Sequence, residues 1–213
     1  MLPGLSTDVH VLQAWVIGLS AMWLLSIVAA AFLGVKLRKK FLEKHELSMI
    51  EPLTGLANRR KVNEKKAEQI EISGRYCEEF SLLYFDLDDF AGVNARLGHV
   101  GADRCLSQLG GALITQRRLY DTVGRVGGDE FLIILPQTGL ADAQRVAEEV
   151  RQTIETLGRT NDSGLTASIG VATFPEHCGA DEVCDIESIA DAAAIEAKTA
   201  GGNRVVIAKK SDG

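Results

Sequence analysis

Residues 125–131 read Arg-Val-Gly-Gly-Asp-Glu-Phe and lead directly into the apolar run Leu-Ile-Ile-Leu. Two adjacent glycines before an apolar run predict a tight β-hairpin, because a two-residue primed turn needs positive φ at its centre. The turn is expected to set Asp129 and Glu130 side by side on the second strand. The stretch therefore predicts a pair of carboxylates where a buried strand begins.

A second apolar strand, further upstream, also ends in carboxylates. Residues 80–85 read Phe-Ser-Leu-Leu-Tyr-Phe and are followed by Asp86, Leu87 and Asp88. Because side chains alternate along a strand, Asp86 and Asp88 are expected on one face. Carboxylates from two strand ends that meet can hold a divalent cation and act on phosphate groups.

Helical and extended patterns alternate through the rest of the chain after residue 50. The pattern predicts helices at 59–72, 101–118, 142–157 and 186–200, strands at 80–85, 165–173 and 203–208, and a hairpin at 121–135. A strand–helix–hairpin–helix–strand order is the ferredoxin-like one. We therefore expect an α+β domain with a βαββαβ core, a mixed or antiparallel sheet and helices on one face.

The N-terminal part has a different character. Residues 11–35 carry no charge, and a helix of that length would span roughly 37 Å at ~1.5 Å per residue, enough to cross a bilayer with some tilt. A cleaved signal peptide is the alternative, but no Lys or Arg precedes the stretch, and it exceeds the usual apolar core of such peptides. The pattern favours one transmembrane helix.

Charges that flank the apolar stretch predict its orientation. Four basic residues follow it closely: Lys36, Arg38, Lys39 and Lys40. Positive charge favours the cytoplasmic side, so the C-terminal domain is expected in the cytoplasm. The predicted organisation is a short extracytoplasmic tail at 1–10, a transmembrane helix at 11–35, a cytoplasmic linker helix at 36–50 and a domain at 51–210.

Composition argues against two other kinds of site. The formal net charge of −6 disfavours nucleic-acid binding, which needs Lys and Arg against phosphates. The four cysteines lack CxxC spacing and are expected to be free thiols in a reducing cytoplasm: Cys77, Cys105, Cys178 and Cys184. His177 beside Cys178 fits no structural zinc pattern.

Five segments, in order, resemble the GGDEF family of diguanylate cyclases. They are 51–60 (Glu-Pro-Leu-Thr-Gly-Leu-Ala-Asn-Arg-Arg), 85–90 (Phe-Asp-Leu-Asp-Asp-Phe) with Asn94, Gly98-His99 and Asp103, 118–121 (Arg-Leu-Tyr-Asp), 127–131 (Gly-Gly-Asp-Glu-Phe) and 197–204 with Lys198 and Gly201-Gly-Asn-Arg. One such string is weak evidence, but five in order are specific. The resemblance covers about residues 50–208 and implies a nucleotidyl-cyclase-like fold.

The resemblance implies that two GTP molecules are joined into cyclic di-GMP, with release of two pyrophosphates, by a homodimer anchored in the bacterial inner membrane. It implies Mg²⁺ or Mn²⁺ as cofactor. The implied roles are catalysis by Glu130 and Lys198, metal binding by Asp86, the Leu87 carbonyl and Asp129, GTP binding by Asn94, Asp103, Gly127 and Gly128, and inhibitory product binding by Arg118 and Asp121.

Simpler roles are open for several of these residues. For Asp88, a role in a helix cap or a salt bridge is as open as metal binding. Asn94 could be a turn residue, and Asp103 a charge in the first turn of a helix. Arg118 and Asp121 could form an ordinary surface pair, which would contribute little stability.

The chain also departs from the family pattern. It has Ala91 in place of Lys, Ala95 in place of Asp, Ala102 in place of Gly and Gly202 in place of Arg. The missing Lys and Arg are the cations that reach the triphosphate, so Lys198 is left to hold it. Two alternatives therefore stay open beside the enzyme: a degenerate domain that binds GTP or cyclic di-GMP, and a membrane-anchored dimerisation module.

Overall fold

The computed structural model describes residues 5–46, 49–178 and 185–209, which fall into two units divided after Ser48. The first unit is one helix, α1 (Leu5–Glu46). Its segment Gln13–Lys36 has a mean hydropathy of 2.3 and is fully exposed. By length and composition this segment could cross a membrane, although a signal sequence passes the same test. The linker helix predicted to reach residue 50 is seen to Glu46, and Ile50 instead bridges to Ala57.

The elements of the second unit are β1 (Ala57–Asn58), α2 (Arg59–Tyr76), β2 (Phe80–Asp88), α3 (Phe90–Gln116), β3 (Thr122–Arg125), β4 (Glu130–Pro136), α4 (Leu140–Thr160), β5 (Thr166–Phe174), α5 (Ile186–Thr199) and β6 (Arg204–Ile207). The strands form one six-stranded sheet in the order β1-β3-β4-β2-β5-β6. β2 pairs antiparallel with β4 and β5, whereas β1 pairs parallel with β3 and β5 with β6, so the sheet is mixed. The predicted βαββαβ core is confirmed in β2-α3-β3-β4-α4-β5.

Helices cover both faces of the sheet, which corrects the expectation of one helical face. Phe85 of β2 belongs to a core shared with α3 and α4, and Leu82 belongs to a second core shared with α2 and α5. β2 is buried without interruption from Phe80 to Phe85. A strand that is buried at every position, rather than at alternate ones, is typical of a sheet covered on both sides.

The largest boundary difference lies at the end of β2. The strand continues through Asp88, and Asp89 then caps α3, which begins at Phe90 rather than near residue 101. α3 is kinked at Gly98, where φ is 69° and ψ is 167°. A positive φ of this kind interrupts a helix, so the sequence pattern favoured only the part that follows the kink.

The cysteines differ from the prediction at one position. Cys178 is disulfide-bonded, so the expectation of a free thiol there is wrong. Cys184 lies outside the described residues. Cys77 and Cys105 are free. The neighbouring His177 is buried, and its Nδ1 accepts a hydrogen bond from the Thr173 amide at 3.1 Å. His177 therefore has a structural partner inside the fold.

Two adjacent glycines of α3 provide a matched test of packing. A Cβ on Gly110 would collide with the carbonyl oxygen of Thr54, whereas a Cβ on Gly111 would meet nothing within 4 Å. Gly110→Ala should therefore lower the free energy of unfolding by about 1–3 kcal/mol through overpacking. Gly111→Ala should raise it by about 0.5–1 kcal/mol through helix propensity. Urea denaturation of both variants tests this, and equal effects at the two positions would contradict the packing.

Candidate active site

The glycine turn between β3 and β4 is wider than predicted. Residues 126–129 separate the strands, and the amides of Val126 and Gly127 both donate to the Glu130 carbonyl, at 2.9 and 3.2 Å. Neither Gly127 nor Gly128 has a positive φ, so the expected two-residue primed turn is wrong. A Cβ on Gly127 would meet the Glu130 carboxylate and displace it, while Gly128 faces open space.

Two arginines hold this turn from the outside. Arg125 donates to the Gly128 carbonyl from Nε and Nη2, at 3.1 and 2.6 Å, and its Nη1 lies 3.4 Å from Glu51. Arg59 donates from Nε to the Val126 carbonyl at 2.8 Å. Arg59 and Glu51 both belong to the opening motif at residues 51–60, so this motif helps to fix the turn that carries Asp129.

Asp86 is the centre of the charged cluster. It lies opposite Glu130 in the β2–β4 register, and its Oδ1 accepts a hydrogen bond from Lys198 Nζ at 2.6 Å. Burial raises the pKa of Asp86; the Lys198 contact opposes this rise, and the nearby charges of Asp129 and Glu130 add to it. The same contact raises the pKa of Lys198. The fold thus brings three carboxylates and one ammonium together at the ends of β2, β4 and α5.

Glu130 is the first residue of β4, and Asp129 lies in the turn just before it. Tyr84 is buried and shares a side-chain hydrogen bond with Glu130, and Arg59 Nη2 lies 3.9 Å from Glu130 Oε2. Burial, and after it the charge of Glu130, raises the pKa of Asp191 on α5. Glu130 is therefore held on one side by a hydroxyl and a guanidinium while remaining about two-fifths exposed.

Leu87 contributes backbone and core rather than a polar side chain. Its side chain is fully buried, and its amide donates to the Asp129 carbonyl at 3.1 Å. This bond links the end of β2 directly to the turn. It brings the backbone of Leu87 beside that of Asp129.

Asp88 is bonded within the fold. Its carboxylate accepts hydrogen bonds from the Thr166 and Ser168 hydroxyls, both at 2.7 Å, and from the backbone amide of Asn203 at 2.8 Å. The Asn203 side chain in turn accepts from Arg151 Nη1 at 2.6 Å. These contacts fasten the loop after Lys198 to β5, and they are neither the helix cap nor the salt bridge considered for Asp88.

The two residues expected to contact guanine lie on either side of the α3 kink. Asn94 precedes Gly98, is partly buried, and donates from Nδ2 to the Phe90 carbonyl at 3.2 Å. Asp103 follows the kink and is exposed. Asn94 is thus inside a helix rather than in a turn, and Asp103 is mid-helix rather than in a first turn of its own element.

Arg118 and Asp121 lie in a short turn between α3 and β3, outside the carboxylate cluster. The Asp121 carboxylate accepts from the Arg118 amide at 2.8 Å, and burial raises the pKa of Asp121. The intervening Leu119 and Tyr120 are 89% and 79% exposed. These four residues line a surface cavity of about 870 Å³ beside α2, and Lys61 lines the same cavity. The Arg118 guanidinium is therefore available to a ligand in that cavity.

Among the described residues, no group of three His, Cys, Asp or Glu side chains is arranged to hold a metal ion. The pair Asp86 and Asp129 nevertheless offers only oxygen donors, which suit Mg²⁺. Mg²⁺ is commonly bound by one or two carboxylates together with substrate phosphates, so two carboxylates are enough. The ammonium of Lys198 on Asp86 also shows that this position accepts a cation. The donor set therefore fits the expected ion.

Comparison with known proteins identifies the domain. The family described as "Diguanylate cyclase, GGDEF domain" matches residues 48–204. This chain belongs to the GGDEF family. Diguanylate cyclase DosC of Escherichia coli (strain K12) is 34% identical over 181 residues, which are 82% of this chain and 38% of DosC.

Solved structures agree. The active GGEEF domain of a diguanylate cyclase from Vibrio cholerae is 30% identical, with a TM-score of 0.66, and the match covers 73% of this chain and 99% of that one. A microbial GGDEF domain whose interaction with cyclic di-GMP was determined is 30% identical, with a TM-score of 0.65, covering 78% and 99%. The chain spans between 25% and 45% of the length of the first curated relatives it matches.

Sequence reasoning missed three supporting residues. Tyr84 precedes Asp86 by two positions on the same strand, so alternation was a signal that placed it on the same face. Arg59 and Arg125 were recognised only as members of motifs, because the fold of the turn determines which carbonyls they bind.

The role of Asp88 can be tested against its exposed neighbour. Asp88→Asn keeps the shape but presents an NH₂ group to donors, and it should lower the free energy of unfolding by about 1–3 kcal/mol in metal-free buffer. Asp89→Asn should change it by less than about 0.5 kcal/mol, because Asn caps helices and tolerates the left-handed φ of 46° found there. Chemical denaturation in EDTA measures both. Equal stability of Asp88→Asn and wild type would contradict the structural role.

Proposed function

We propose that this protein is a diguanylate cyclase that condenses two GTP molecules into cyclic di-GMP and two pyrophosphates. The observation that carries the proposal is the convergence of Asp86, Asp129 and Glu130 beside Lys198 at one edge of the sheet. The similarity to DosC and to the active domain from Vibrio cholerae supports the same reaction. Each 3′-oxygen attacks the α-phosphorus of the other nucleotide, the bond to pyrophosphate breaks, and the hydroxyl proton leaves.

The residues divide the work by their chemistry. Asp86, Asp129 and the Leu87 carbonyl would hold Mg²⁺ or Mn²⁺, which would supply the positive charge that neutralises phosphate oxygens. Glu130 orients the 3′-hydroxyl and accepts its proton, and its contact with Tyr84 fixes the direction of its carboxylate. Lys198 holds the triphosphate as a point charge.

Substrate selection is assigned to α3 and the glycine turn. Asn94 and Asp103 accept from the N1–H and N2–H₂ groups of guanine, which adenine does not present in that pattern. Gly127 and Gly128 leave room for phosphates beside the turn, since a side chain at Gly127 would occupy the position of the Glu130 carboxylate.

The reaction requires two domains, because each holds one GTP and the two nucleotides attack each other. We propose that α1 supplies the pairing as a membrane-anchored homodimer in the bacterial inner membrane, with the domain in the cytoplasm. The fully exposed apolar span Gln13–Lys36 supports a membrane location, and Lys36 and Arg38 at its end support the orientation. A protein held as a monomer should lose turnover.

The substitutions at the triphosphate favour one alternative, a weak or inactive domain that binds GTP or cyclic di-GMP and signals without turnover. Ala91 is exposed and cannot contact phosphate through charge, and Gly202 also lacks a cation. Lys198 remains, and the carboxylates are complete, so we favour the enzyme.

The reaction itself is tested with the full chain in detergent, with and without a fused dimerising domain, incubated with GTP and Mg²⁺. Cyclic di-GMP should appear on chromatography. Asp129→Asn and Glu130→Gln should lower the rate by at least about two orders of magnitude, because the first removes an ion ligand and the second removes the proton acceptor.

Thermal melting provides the matching control. Mg²⁺ with a GTP analogue should raise the melting temperature of the wild type, and the shift should vanish in Asp129→Asn while the metal-free melting temperature is kept. Normal turnover in either variant would rule out the assigned roles.

Product inhibition is assigned to Arg118 and Asp121. A guanidinium can fork onto guanine O6 and N7 or onto phosphate, and the cavity beside α2 gives the ligand space. Arg118→Ala should weaken cyclic di-GMP binding in calorimetry by at least about tenfold while GTP turnover persists. Arg145→Ala serves as control, because Arg145 is an exposed arginine on α4 that does not line this cavity. Unchanged affinity in Arg118→Ala would overturn the assignment.

The weak triphosphate grip can be repaired at one position. Ala91→Lys adds a cation at an exposed position and should lower the Michaelis constant for GTP by about three- to tenfold, since charge-assisted hydrogen bonds contribute roughly 1.5–3 kcal/mol before solvent screening. Gly202→Arg is a poor companion, because Gly202 has a φ of +71° and a Cβ there would lie 3.1 Å from the Asp88 carboxylate. An unchanged Michaelis constant in Ala91→Lys would mean that other groups hold the phosphates.

A further inference from the structure

Lys198 occupies one oxygen of the carboxylate that the proposed function assigns to the metal ion. Its Nζ lies 2.6 Å from Asp86 Oδ1, and the charges of Asp129 and Asp88 are also close enough to raise its pKa. The Lys198 side chain is 47% exposed, whereas Asp86 is 25% exposed. The lysine is therefore open to an incoming ligand, whereas the carboxylate beneath it is largely shielded from water.

Electrostatics requires a cation at this position in every state of the site. Asp86, Asp129 and Glu130 bring negative charges together, and leaving them uncompensated is costly. Lys198 meets that need when no ion or nucleotide is bound. An ammonium on Oδ1 and a divalent cation on the same carboxylate repel each other at such short range, so each weakens the binding of the other.

We propose that Lys198 is an exchangeable counter-ion, which competes with the divalent cation for Asp86 and is drawn off by the triphosphate of GTP. The inference rests on the proposed function for the identity of the nucleotide. When GTP binds, Lys198 moves from Asp86 to the phosphate oxygens, and Asp86 becomes free to ligate the cation. Cation and nucleotide therefore assist each other's binding, although they contact different atoms of the protein.

The coupling has a direct consequence for the order of events. Linkage is reciprocal, so the factor by which bound nucleotide raises the affinity for the cation equals the factor by which bound cation raises the affinity for the nucleotide. This factor depends on the contact between Lys198 and Asp86, which either ligand must break. The free site stays neutralised by its own lysine and binds free cation weakly. Nucleotide and cation bind together, so the carboxylates always have a positive charge beside them.

The first test measures Mn²⁺ binding to the full chain in detergent, without nucleotide, by electron paramagnetic resonance. Lys198→Met removes the competing charge and should tighten Mn²⁺ binding by about three- to tenfold, with Lys198→Gln as a second neutral variant. Lys198→Arg keeps the charge and should stay near the wild type. Lys209→Met removes a lysine that pairs with Glu196 outside the site and should also match the wild type.

Asp86→Asn locates the effect, because it should abolish Mn²⁺ binding in either background. Mn²⁺ affinity that is unchanged or weaker in both neutral variants would overturn the exchange. So would retention of full Mn²⁺ binding in Asp86→Asn.

The second test examines the nucleotide side in EDTA, with a slowly hydrolysed GTP analogue. Asp86→Asn frees Lys198 for the phosphates and should tighten analogue binding by about threefold or more. The same change in a Lys198→Met background should give a clearly smaller gain; an equal gain would refute the exchange, since it would come from charge repulsion alone.

Failure of the exchange is distinguishable from failure of the reaction. A wild type that forms no cyclic di-GMP, but shows the expected Mn²⁺ series, refutes the reaction and supports the exchange. Normal turnover with equal Mn²⁺ affinity in wild type and both neutral variants refutes the exchange alone.

Discussion

The antiparallel pairing of β2 with β4 is the constraint on which the rest of the site depends. It sets Asp86 opposite Glu130 and, one position inward, stacks Phe85 on Phe131 with ring centroids 5.2 Å apart. The two rings are fully buried between the sheet and its helices. A register slip of one residue would turn these side chains to opposite faces, so the apolar pair fixes the position of the charged one.

Polar contacts around this pairing hold the loops that complete the site. Arg125 fixes the glycine turn through the Gly128 carbonyl, and Asp88 fixes the loop after Lys198 through Asn203. Both are partly buried, where a hydrogen bond to a charged group is stronger than at an open surface. The site is therefore rigid at its two loops and adjustable at Lys198, whose long exposed side chain bears the charge.

Crowded carboxylates explain why that adjustable cation is present. Burial and neighbouring charge both disfavour ionised Asp86, and the Lys198 contact offsets them. A site that binds a divalent cation needs this concentration of negative charge, and a fold that must exist without the cation needs it neutralised. One lysine can meet both needs, because its ammonium leaves when phosphate provides a better partner.

Local sequence determined the elements and the identity of the reactive groups. Alternation within residues 80–88 placed Asp86 on one face, and the paired glycines predicted the hairpin that carries Asp129 and Glu130, because both patterns depend on neighbouring residues. The order of strands and helices gave the ferredoxin-like core for the same reason. The expected two-residue primed turn and the expected single helical face were wrong. Both features depend on packing between segments that are distant in the sequence.

Only the tertiary structure decided which groups meet. Lys198 and Asp86 are 112 residues apart in the chain, and Asp88 reaches Asn203 across 115. Such contacts exist because α5 and β6 pack beside β2 and β5, a result of burying two apolar faces at once. The sequence by itself determined which reactive side chains this protein carries, whereas the fold decided that Asp86 is held by a lysine and that Asp88 is bonded to the loop after Lys198, because both depend on distances set by the packed core.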